Sequence, residues 1–372
     1  MRIVHLTPYW SATTGGPSRY VASLQRALRD RGHEVHVVTR DGGAGAEVVA
    51  GPFPFRELRM VRSLRRFAPE IVHVHGSVRH LFAALVYRLG RPRTRVVFTF
   101  HTQPITREFL PGLNEVQYDY STISAVIARA LLRRTDLITT VSASIVSRHN
   151  DAYRLGIDRY LVIPSGGDVR GARAVPSRTP NHVRHRGSPQ LVSVGVMVWD
   201  WKVLGHLVVV RALDKLRGRY PGVQLLIAGD GPHRGVIERE VAALGLQDHV
   251  HLLGNVAVED LLEDTDIYVH MAMNEGCSLA IIEAMHAAKP IVAANAGGTP
   301  EVLVNGETAL LVEPEPDELA VAVQRLVGDA PYGRKLGERA REVALEKYTW
   351  SAVAEEYAKT YRSLLASGAG DR

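Results

Sequence analysis

The chain has 372 residues, of which 46% are hydrophobic and 23% are charged, and this globular composition is long enough for two domains. It contains no run of about 18 apolar residues, so no transmembrane helix is expected. The formal net charge of +6 favours anionic ligands without requiring nucleic acid, and no zinc spacing or helix-turn-helix pattern occurs. Signal-peptide features are missing and the single cysteine, Cys277, excludes an internal disulfide, so we expect a cytoplasmic protein.

Short apolar runs and amphipathic segments alternate through the first half of the chain. The predicted strands are Ile3–Thr7, Glu34–Thr39, Glu70–His75, Val96–Phe100 and Asp136–Val141, and the predicted helices are Arg19–Arg31 and Thr122–Arg134. Gly32 ends the first of these helices. Alternation of this kind predicts a parallel sheet covered on both faces by helices.

The composition changes after Gly167, and we predict a linker rich in Pro, Gly, Ser, Arg and His over residues 169–189. The alternation then restarts, with strands at Leu191–Gly195, Gln224–Ala228, Ile267–Met271, Ile291–Ala294 and Ala309–Val312, and helices at Leu207–Tyr220, Gly235–Leu244, Val258–Glu263, Leu279–Ala288 and Pro316–Gly328. A helical stretch follows Gly337 to about Leu365. The predicted fold is α/β, with two tandem Rossmann-like doubly wound domains, residues 1–168 and 190–349, and a ligand cleft between them.

The segment Glu275–Glu283 carries two acids eight positions apart, separated by small residues and an apolar run. Ser278 is a candidate N-cap for a helix that begins at Leu279, and Lys289-Pro290 would end that helix. Backbone N–H groups at such a helix start, at the positive end of the helix dipole, bind phosphate. A sugar nucleotide, with an anionic centre and hydroxyls at both ends, fits this spacing, and a surface helix with two solvated acids fits it equally.

Other candidate ligand residues follow predicted strands. Gly15-Gly16 forms a strand-to-helix turn that lets the backbone approach a ligand closely. His101 follows a strand at the end where open α/β sheets bind ligands. Lys202, in a predicted loop, would neutralise a diphosphate, and Gly229 begins a glycine-rich turn. Taken alone, the Gly15-Gly16 turn and His101 are accounted for equally well by a turn that only packs and by a loop histidine with no role, and a lone loop lysine such as Lys202 is usually solvated.

Histidine and cysteine residues raise the questions of a metal site and of a nucleophile. His73 and His75 alternate along one predicted strand and face one side, but the sequence places no third ligand, so polar residues at a strand end are favoured over a metal site. Cys277 lies where a small residue is needed, and no base is identifiable beside it. We therefore expect neither a bound metal nor a cysteine nucleophile.

A cluster of arginines follows near-helical spacing opposite Leu58, Val61, Leu64 and Phe67. The arginines are Arg56, Arg59, Arg62, Arg65 and Arg66. This basic face could contact an acidic membrane surface or an anionic acceptor. The solvated face of an ordinary amphipathic helix is the favoured interpretation, because charge stripes of this kind are common.

In their order along the chain, these segments resemble the retaining glycosyltransferases of family 4, which have the GT-B fold. The segments are Gly15-Gly16, His73-Val74-His75-Gly76, Phe100-His101-Thr102, Val162-Ile163-Pro164-Ser165-Gly166, Ile227–Pro232, Glu275–Glu283 and Gly297–Glu301. The resemblance covers essentially the whole length, and the combination is far more specific than any one segment. It implies that the C-terminal helix, over residues 350–372, packs back on the first domain.

The resemblance implies a nucleotide-diphosphate sugar as co-substrate, with UDP favoured, no cofactor, and a metal-independent reaction that retains the anomeric configuration. It implies that His101 and Glu275 lie at the reacting sugar, with Glu275 contacting its hydroxyls rather than acting as a nucleophile, and that Glu283 binds the ribose. The remaining implied donor-binding residues are Gly15, Gly16, Lys202, Gly229, Gly254, Gly276, Cys277, Ser278 and Leu279.

One position departs from the family pattern. Family members commonly have Arg after the glycine that ends the first strand of the second domain, whereas Val196 follows Gly195 here. Lys202 is retained, and Arg211 is a candidate replacement for the missing cation. Loss of one of two cations would weaken stabilisation of the leaving diphosphate.

The acceptor side is predicted in the loop over residues 103–120, through Arg107, Glu115 and Asp119. Its acids suit a cationic aminocyclitol, and its apolar residues suit a lipid. Three hypotheses follow: transfer of a hexose or N-acetylhexosamine to a small-molecule or lipid-linked hydroxyl, an aminocyclitol glycosyltransferase or pseudoglycosyltransferase of antibiotic biosynthesis, or a degenerate relative that binds nucleotide or a partner without turnover. A peripheral membrane contact through Arg56–Arg66 and the oligomeric state are left open.

Overall fold

Every strand pairing among the described residues is parallel. The computed structural model describes residues 1–8, 10, 16–40, 42, 45–104, 122–167 and 189–367. They divide into two compact units, one containing residues 1–104, 122–166 and 350–367 and the other containing residues 167 and 189–349. The predicted linker over residues 169–189 lies almost wholly outside the described residues.

The first unit is built on a seven-stranded sheet. Its elements are β1 (Arg2–Thr7), α1 (Gly16–Asp30), β2 (Glu34–Thr39), β3 (Glu47–Val48), α2 (Phe55–Phe67), β4 (Ile71–His75), α3 (Val78–Leu89), β5 (Arg95–Phe100), α4 (Thr122–Leu132), β6 (Leu137–Thr140), α5 (Ala143–Tyr153) and β7 (Leu161–Val162). The strand order is β3-β2-β1-β4-β5-β6-β7. The chain therefore winds outward from β1 in one direction and from β4 in the other, as in a doubly wound sheet.

The second unit repeats this arrangement with six strands. Its elements are β8 (Gln190–Val194), α6 (Asp200–Arg217), β9 (Gln224–Ala228), α7 (Arg234–Ala243), β10 (Val250–Gly254), α8 (Val258–Glu263), β11 (Ile267–His270), α9 (Leu279–His286), β12 (Ile291–Ala294), α10 (Thr299–Val302), β13 (Leu310–Val312), α11 (Pro316–Gly328) and α12 (Ala330–Lys347). The strand order is β10-β9-β8-β11-β12-β13. The final helix, α13 (Trp350–Ser367), belongs to the first unit.

Two apolar cores sandwich the sheet of the second unit. Neighbouring strand residues such as Leu191 and Val192 point to opposite faces and enter different cores. One core packs against helices α6, α7 and α11, and the other against α8, α9 and α12. Both faces are buried, so the strands are continuous apolar runs, and each fully buried Leu, Ile or Val contributes about 1.5–3 kcal/mol.

Helix α13 packs against α1 within the first unit through buried tyrosines. The Tyr361 hydroxyl lies 2.7 Å from His73 Nδ1, and the Tyr20 hydroxyl lies 3.0 Å from that of Tyr357. The tyrosine side chains of Tyr20, Tyr357 and Tyr361 are 0–2% exposed. Since each buried hydroxyl has a partner, these hydrogen bonds orient α13 as well as stabilise it.

The predicted strands of both halves are confirmed to within one residue at each end. Strands β3, β7 and β10 and helices α3, α5 and α10 were not predicted. The start of α3 was recognisable, because the Ser77 side chain accepts a hydrogen bond from the His80 N–H at 3.3 Å as an N-cap. The last helical stretch was placed too late: α12 begins at Ala330, after an Asp329 side chain that accepts from the Tyr332 N–H at 3.0 Å.

Candidate active site

The strand order of the second unit brings two loops together at the carboxyl ends of β8 and β11. The chain continues from β8 to β9 on one side, while β11 lies on the other side. Loops that leave two such strands diverge and leave a crevice between them. The loop after β8 leads to Lys202, and the loop after β11 carries Glu275.

Lys202 and Glu275 form an ion pair between Nζ and Oε1. Their side chains are only 19% and 13% exposed. His270, the last residue of β11, places Nε2 at 3.7 Å from the same glutamate oxygen. The predicted loop position of Lys202 is wrong, because α6 begins at Asp200 rather than at Leu207 and holds the lysine in its first turn.

The surroundings of Glu275 keep its carboxyl ionised. Burial acts to raise its pKa, but the Lys202 ammonium charge, with a smaller contribution from the nearby His270, outweighs burial, so the pKa lies well below its usual range. The result is a largely buried carboxylate that stays ionised. Such a group accepts hydrogen bonds from ligand hydroxyls more strongly than a neutral acid does.

A buried tyrosine, Tyr268, lies within reach of the charges of both acids of the Glu275–Glu283 motif. Burial raises the pKa of Tyr268 well above its usual value, and the charges of Glu283 and then Glu275 raise it further. Its hydroxyl lies 3.1 Å from His270 Nδ1. A neutral phenol that donates to Nδ1 leaves the His270 proton on Nε2, facing Glu275.

Glycines fix the backbone around Glu275. Gly297 has φ +58°, and a Cβ there would lie 2.5 Å from the Glu275 carbonyl oxygen. The neighbouring Gly298 N–H donates to the same oxygen at 2.8 Å. Gly205 brings α6 against the end of β11, where a Cβ would lie 2.8 Å from the Met271 backbone. Both contacts require glycine and hold Lys202 and Glu275 on opposing elements at pairing distance.

Close backbone packing explains why residue 229, predicted to bind the donor, is a glycine. Its φ is +135°, and a Cβ would lie 2.0 Å from the Gly195 carbonyl oxygen. Its N–H donates to the Gly254 carbonyl at 2.7 Å, and Gly254 itself has φ +69°. These glycines let β8, β9 and β10 end close together. Backbone packing alone therefore accounts for these glycines.

A second polar cluster lies at the same switch point in the first unit, between β1 and β4. His5 Nδ1 lies 2.7 Å from His75 Nε2, and His75 Nδ1 lies 2.8 Å from His101 Nε2. His73 bonds Tyr361 through Nδ1 and Thr99 through Nε2. His73 and His75 lie at the end of β4, as predicted, and both side chains are buried.

The cluster supplies the third histidine that the sequence did not place. Nitrogen atoms of His5, His73 and His75 lie within 4.8 Å of one another, a grouping that could hold a metal ion. Five of their six ring nitrogens already have hydrogen-bond partners in the protein. A metal would have to replace several of these bonds. The arrangement fits a hydrogen-bonded network at least as well as a metal site.

Comparisons with known proteins bear on what the two clusters do. Residues 14–170 match the family model described as Glycosyltransferase Family 4, and residues 180–343 match the one described as Glycosyl transferases group 1. The chain belongs to this glycosyltransferase family. The two domain models meet near the boundary between the two structural units.

Relatives and a solved structure resemble the glycosyltransferase over nearly its whole length. The N-acetyl-alpha-D-glucosaminyl L-malate synthase of Bacillus anthracis is 26% identical over 381 residues, 95% of each chain. The phosphatidylinositol N-acetylglucosaminyltransferase gpi3 subunit of Schizosaccharomyces pombe is 24% identical over 379 residues, 94% of this chain and 78% of that one. The crystal structure of Anabaena HepE in complex with UDP has a TM-score of 0.78 and 19% identity, covering 98% of this chain and 100% of that chain. The fold is GT-B.

The helix of the segment that was predicted to bind phosphate begins where the sequence predicted. Helix α9 starts at Leu279 with Ser278 as N-cap residue, although the Ser278 side chain makes no capping hydrogen bond. Cys277 packs against the core that includes α9, as expected of a small residue. Gly16 is the exposed first residue of α1. Four further predicted site residues lie outside the described residues: Gly15, Arg107, Glu115 and Asp119.

Arg211 does not replace the arginine missing at Val196. Its guanidinium pairs with Glu240 at 2.6 Å on the surface, and nine residues of helix separate it from Lys202 by about 14 Å. The buried neighbour that the sequence did not reveal is His206, which bonds Ser193 Oγ at 3.1 Å and the Gly195 carbonyl at 3.3 Å. Burial lowers the His206 pKa to about 4. A neutral imidazole therefore lies beside the lysine, rather than a second cation.

The arginine face of α2 differs from its prediction at two residues. Arg56 is buried and donates to Glu57 at 3.0 Å, while Leu58, predicted on the apolar face, is 48% exposed. Arg66 pairs with Glu47. Among the described residues of the glycosyltransferase, no helix combines the length and apolarity needed to cross a membrane.

Proposed function

We propose that the protein transfers a hexose or N-acetylhexosamine from a nucleotide-diphosphate sugar, with UDP favoured, to a small-molecule or lipid-linked hydroxyl. The observation that carries the proposal is the largely buried Glu275 carboxylate, held ionised chiefly by Lys202 beside the start of α9. The names of similar proteins support the substrate class, since two name N-acetylglucosaminyl products or transfer and one solved structure contains UDP.

Donor binding would exchange the partners of Lys202. A diphosphate near backbone N–H groups of residues 276–279, at the positive end of α9, would compete with Glu275 for the ammonium group. If the Lys202 ammonium group paired with the phosphate instead, the Glu275 carboxylate would be released to accept hydrogen bonds from sugar hydroxyls. Glu283, which lies within α9 eight positions after Glu275, would bind the ribose. Gly15 and Gly16 would contact the phosphates from the first domain.

The proposed chemistry keeps the anomeric configuration. The bond between the sugar's anomeric carbon and the phosphate oxygen breaks, and a bond from the acceptor oxygen forms on the same face. The acceptor proton passes to the leaving phosphate oxygen, so no protein nucleophile is required. His101 would contact the sugar near the reacting carbon. We propose that Lys202 and the α9 N-terminus stabilise the leaving diphosphate without a divalent metal.

The test measures nucleotide release and product formation with UDP-, GDP- and ADP-sugars against panels of small hydroxylated, aminocyclitol and lipid acceptors. Glu275→Gln is expected to lower kcat/KM by about 100-fold or more, the effect of losing an electrostatic contact at a reacting group. Glu338→Gln, an exposed acid on α12 in the same unit, is the matched control and should retain full activity. A fully active Glu275→Gln variant would remove Glu275 from the site.

A second candidate function is nucleotide or partner binding without turnover. It is favoured by two observations, Val196 in place of the family's arginine and the pairing of Lys202 with Glu275. Tight nucleotide binding without release alongside any acceptor would support it over catalysis. Turnover only with aminocyclitol acceptors would instead support the antibiotic-type glycosyltransferase or pseudoglycosyltransferase. Turnover only on vesicles would support a lipid acceptor and peripheral membrane contact through α2.

A further inference from the structure

A row of three histidines runs through the first unit and ends at His101. His5 lies on β1, His75 ends β4, and His101 follows β5. The two hydrogen bonds of the row measure 2.7 Å and 2.8 Å and join His5 Nδ1 to His75 Nε2, and His75 Nδ1 to His101 Nε2. His5 and His75 are 0% and 1% exposed.

All three imidazoles are neutral at physiological pH. Burial lowers the pKa of His5 and of His101 to about 3, and burial together with the neighbouring histidines lowers that of His75 well below its usual value. Arg29 is a further charge that acts on His5 in the same direction. A neutral imidazole carries one N–H and one bare nitrogen, so each ring donates one hydrogen bond and accepts one.

This restriction leaves two arrangements of protons. In the first, His5 Nδ1–H donates to His75, and His75 Nδ1–H donates to His101 Nε2, so that His101 carries its proton on Nδ1. In the second, every proton shifts to Nε2, and His101 donates back into the protein through Nε2. The central ring cannot donate at both ends or accept at both ends, so the tautomer of His5 determines that of His101.

The inner end of the row decides between the arrangements. His5 Nε2 is buried and has no hydrogen-bond partner among the described residues. The second arrangement would bury an N–H donor there without an acceptor, and orphaned buried N–H groups are rarer in proteins than under-satisfied acceptors. The first arrangement leaves only a bare nitrogen at that position.

We propose that His5 and His75 are positioning residues that fix His101 as the Nδ1–H tautomer, so that the nitrogen not bonded to His75 carries the proton and donates a hydrogen bond to an acceptor oxygen of the bound sugar. Tyr20 holds the plane of the His101 ring through an edge-to-face contact at 4.6 Å. The ligand part of this inference rests on the proposed function. The tautomer is a property of the protein alone.

The experiment is ¹⁵N NMR of the histidine side chains in the full-length protein without substrate, with assignment by single histidine substitutions. Two histidines provide internal references, because each faces a carbonyl oxygen that can only accept. His149 Nδ1 lies 2.9 Å from the Ile145 carbonyl, and His286 Nε2 lies 3.0 Å from the Tyr348 carbonyl. His5, His75 and His101 should all show the His149 pattern. A His286 pattern at His101 in the unsubstituted protein would overturn the proposal.

A matched pair of variants tests the role of the middle ring. His75→Asn keeps an amide N–H near the position of Nδ1 and should keep His101 as the Nδ1–H tautomer, whereas His75→Leu should give a mixture of tautomers. With a donor that is turned over, His75→Leu should lower kcat roughly 10- to 100-fold with KM changed less, and His75→Asn should recover most of that loss. An unchanged His101 tautomer in His75→Leu would refute the positioning role. Correct tautomers without turnover of any donor would count against the proposed function alone.

Discussion

Lys202→Met tests whether the lysine charge is what stabilises a buried Glu275 carboxylate. The substitution keeps the length and apolar stem of the side chain and removes its charge. Loss of one partner of a buried ion pair costs about 3–5 kcal/mol. Because the two side chains keep 19% and 13% of their surface in water, we expect a smaller decrease of about 2–3 kcal/mol in the free energy of unfolding at pH 7.

The stability deficit of Lys202→Met should depend on pH, in a direction set by the pKa of Glu275. In the wild type, the folded pKa of Glu275 is depressed, so its stabilising contribution is present above the unfolded pKa of about 4.3 and is lost only as pH falls through the lower folded value. Without Lys202, burial is no longer outweighed, and the folded pKa should rise above the unfolded one. The variant's deficit should therefore be largest at pH 7–8 and shrink as the pH approaches about 4 to 5.

The assay is urea unfolding at several pH values of the wild type, Lys202→Met, Glu275→Gln and the double variant. The double variant should be about 2 kcal/mol more stable than the sum of the two single losses, because no unpaired buried charge is left. Lys215→Met is the control, since its partner Asp317 is 79% exposed, and it should change stability by less than about 1 kcal/mol. A pH-independent deficit, or strictly additive losses, would refute the reasoning.

Three further predictions concern the backbone, the buried histidines and metal dependence. Gly297→Ala should lower the free energy of unfolding, measured with urea, by about 2–4 kcal/mol, because the new Cβ would clash with the Glu275 backbone. Gly306→Ala is the control, since Gly306 has φ +75° but open space around it, and it should lower the free energy of unfolding by about 1 kcal/mol. Burial lowers the pKa of His149 to about 4, so the unfolded chain binds a proton that the folded protein does not as pH falls from about 6.5, and the free energy of unfolding decreases. His149→Gln should therefore reduce the slope of the unfolding free energy against pH at pH 5 by up to about 1.4 kcal/mol per pH unit. EDTA should leave the transfer rate unchanged; an activity restored only by Mg²⁺ or Mn²⁺ would contradict metal independence.

The sheet strands could be predicted from the sequence because both faces of each sheet are buried. A strand such as β9 or β12 is then a short, continuous apolar run bounded by turn residues, and this pattern is typical of a buried parallel strand. Helix starts were harder to predict. At α6, the first turn contains Lys202, whose side chain pairs with Glu275 about 70 residues later in the chain. Local patterns carry no information on such a contact.

The same limit separates the site residues that were predicted from those that were missed. Glu275 and His101 follow strands in recognisable segments, and their positions at the carboxyl ends were accessible to sequence reasoning. Tyr268, His270 and His206 lie within a strand or a helix, where the sequence indicates only a core position. Their polar partners come from neighbouring elements, and only the strand order shows which elements are neighbours.

Glycines illustrate why a motif alone cannot assign a ligand contact. A glycine is required wherever something approaches the backbone closely, whether that is a phosphate or another segment of the protein. At Gly229 and Gly297, the approaching atoms are the carbonyl oxygens of Gly195 and Glu275, so packing accounts for both residues. Gly297 nevertheless affects function, because its contact sets the backbone position of Glu275. The glycines at these two positions therefore report how the site is supported, and a ligand contact at either one needs separate evidence.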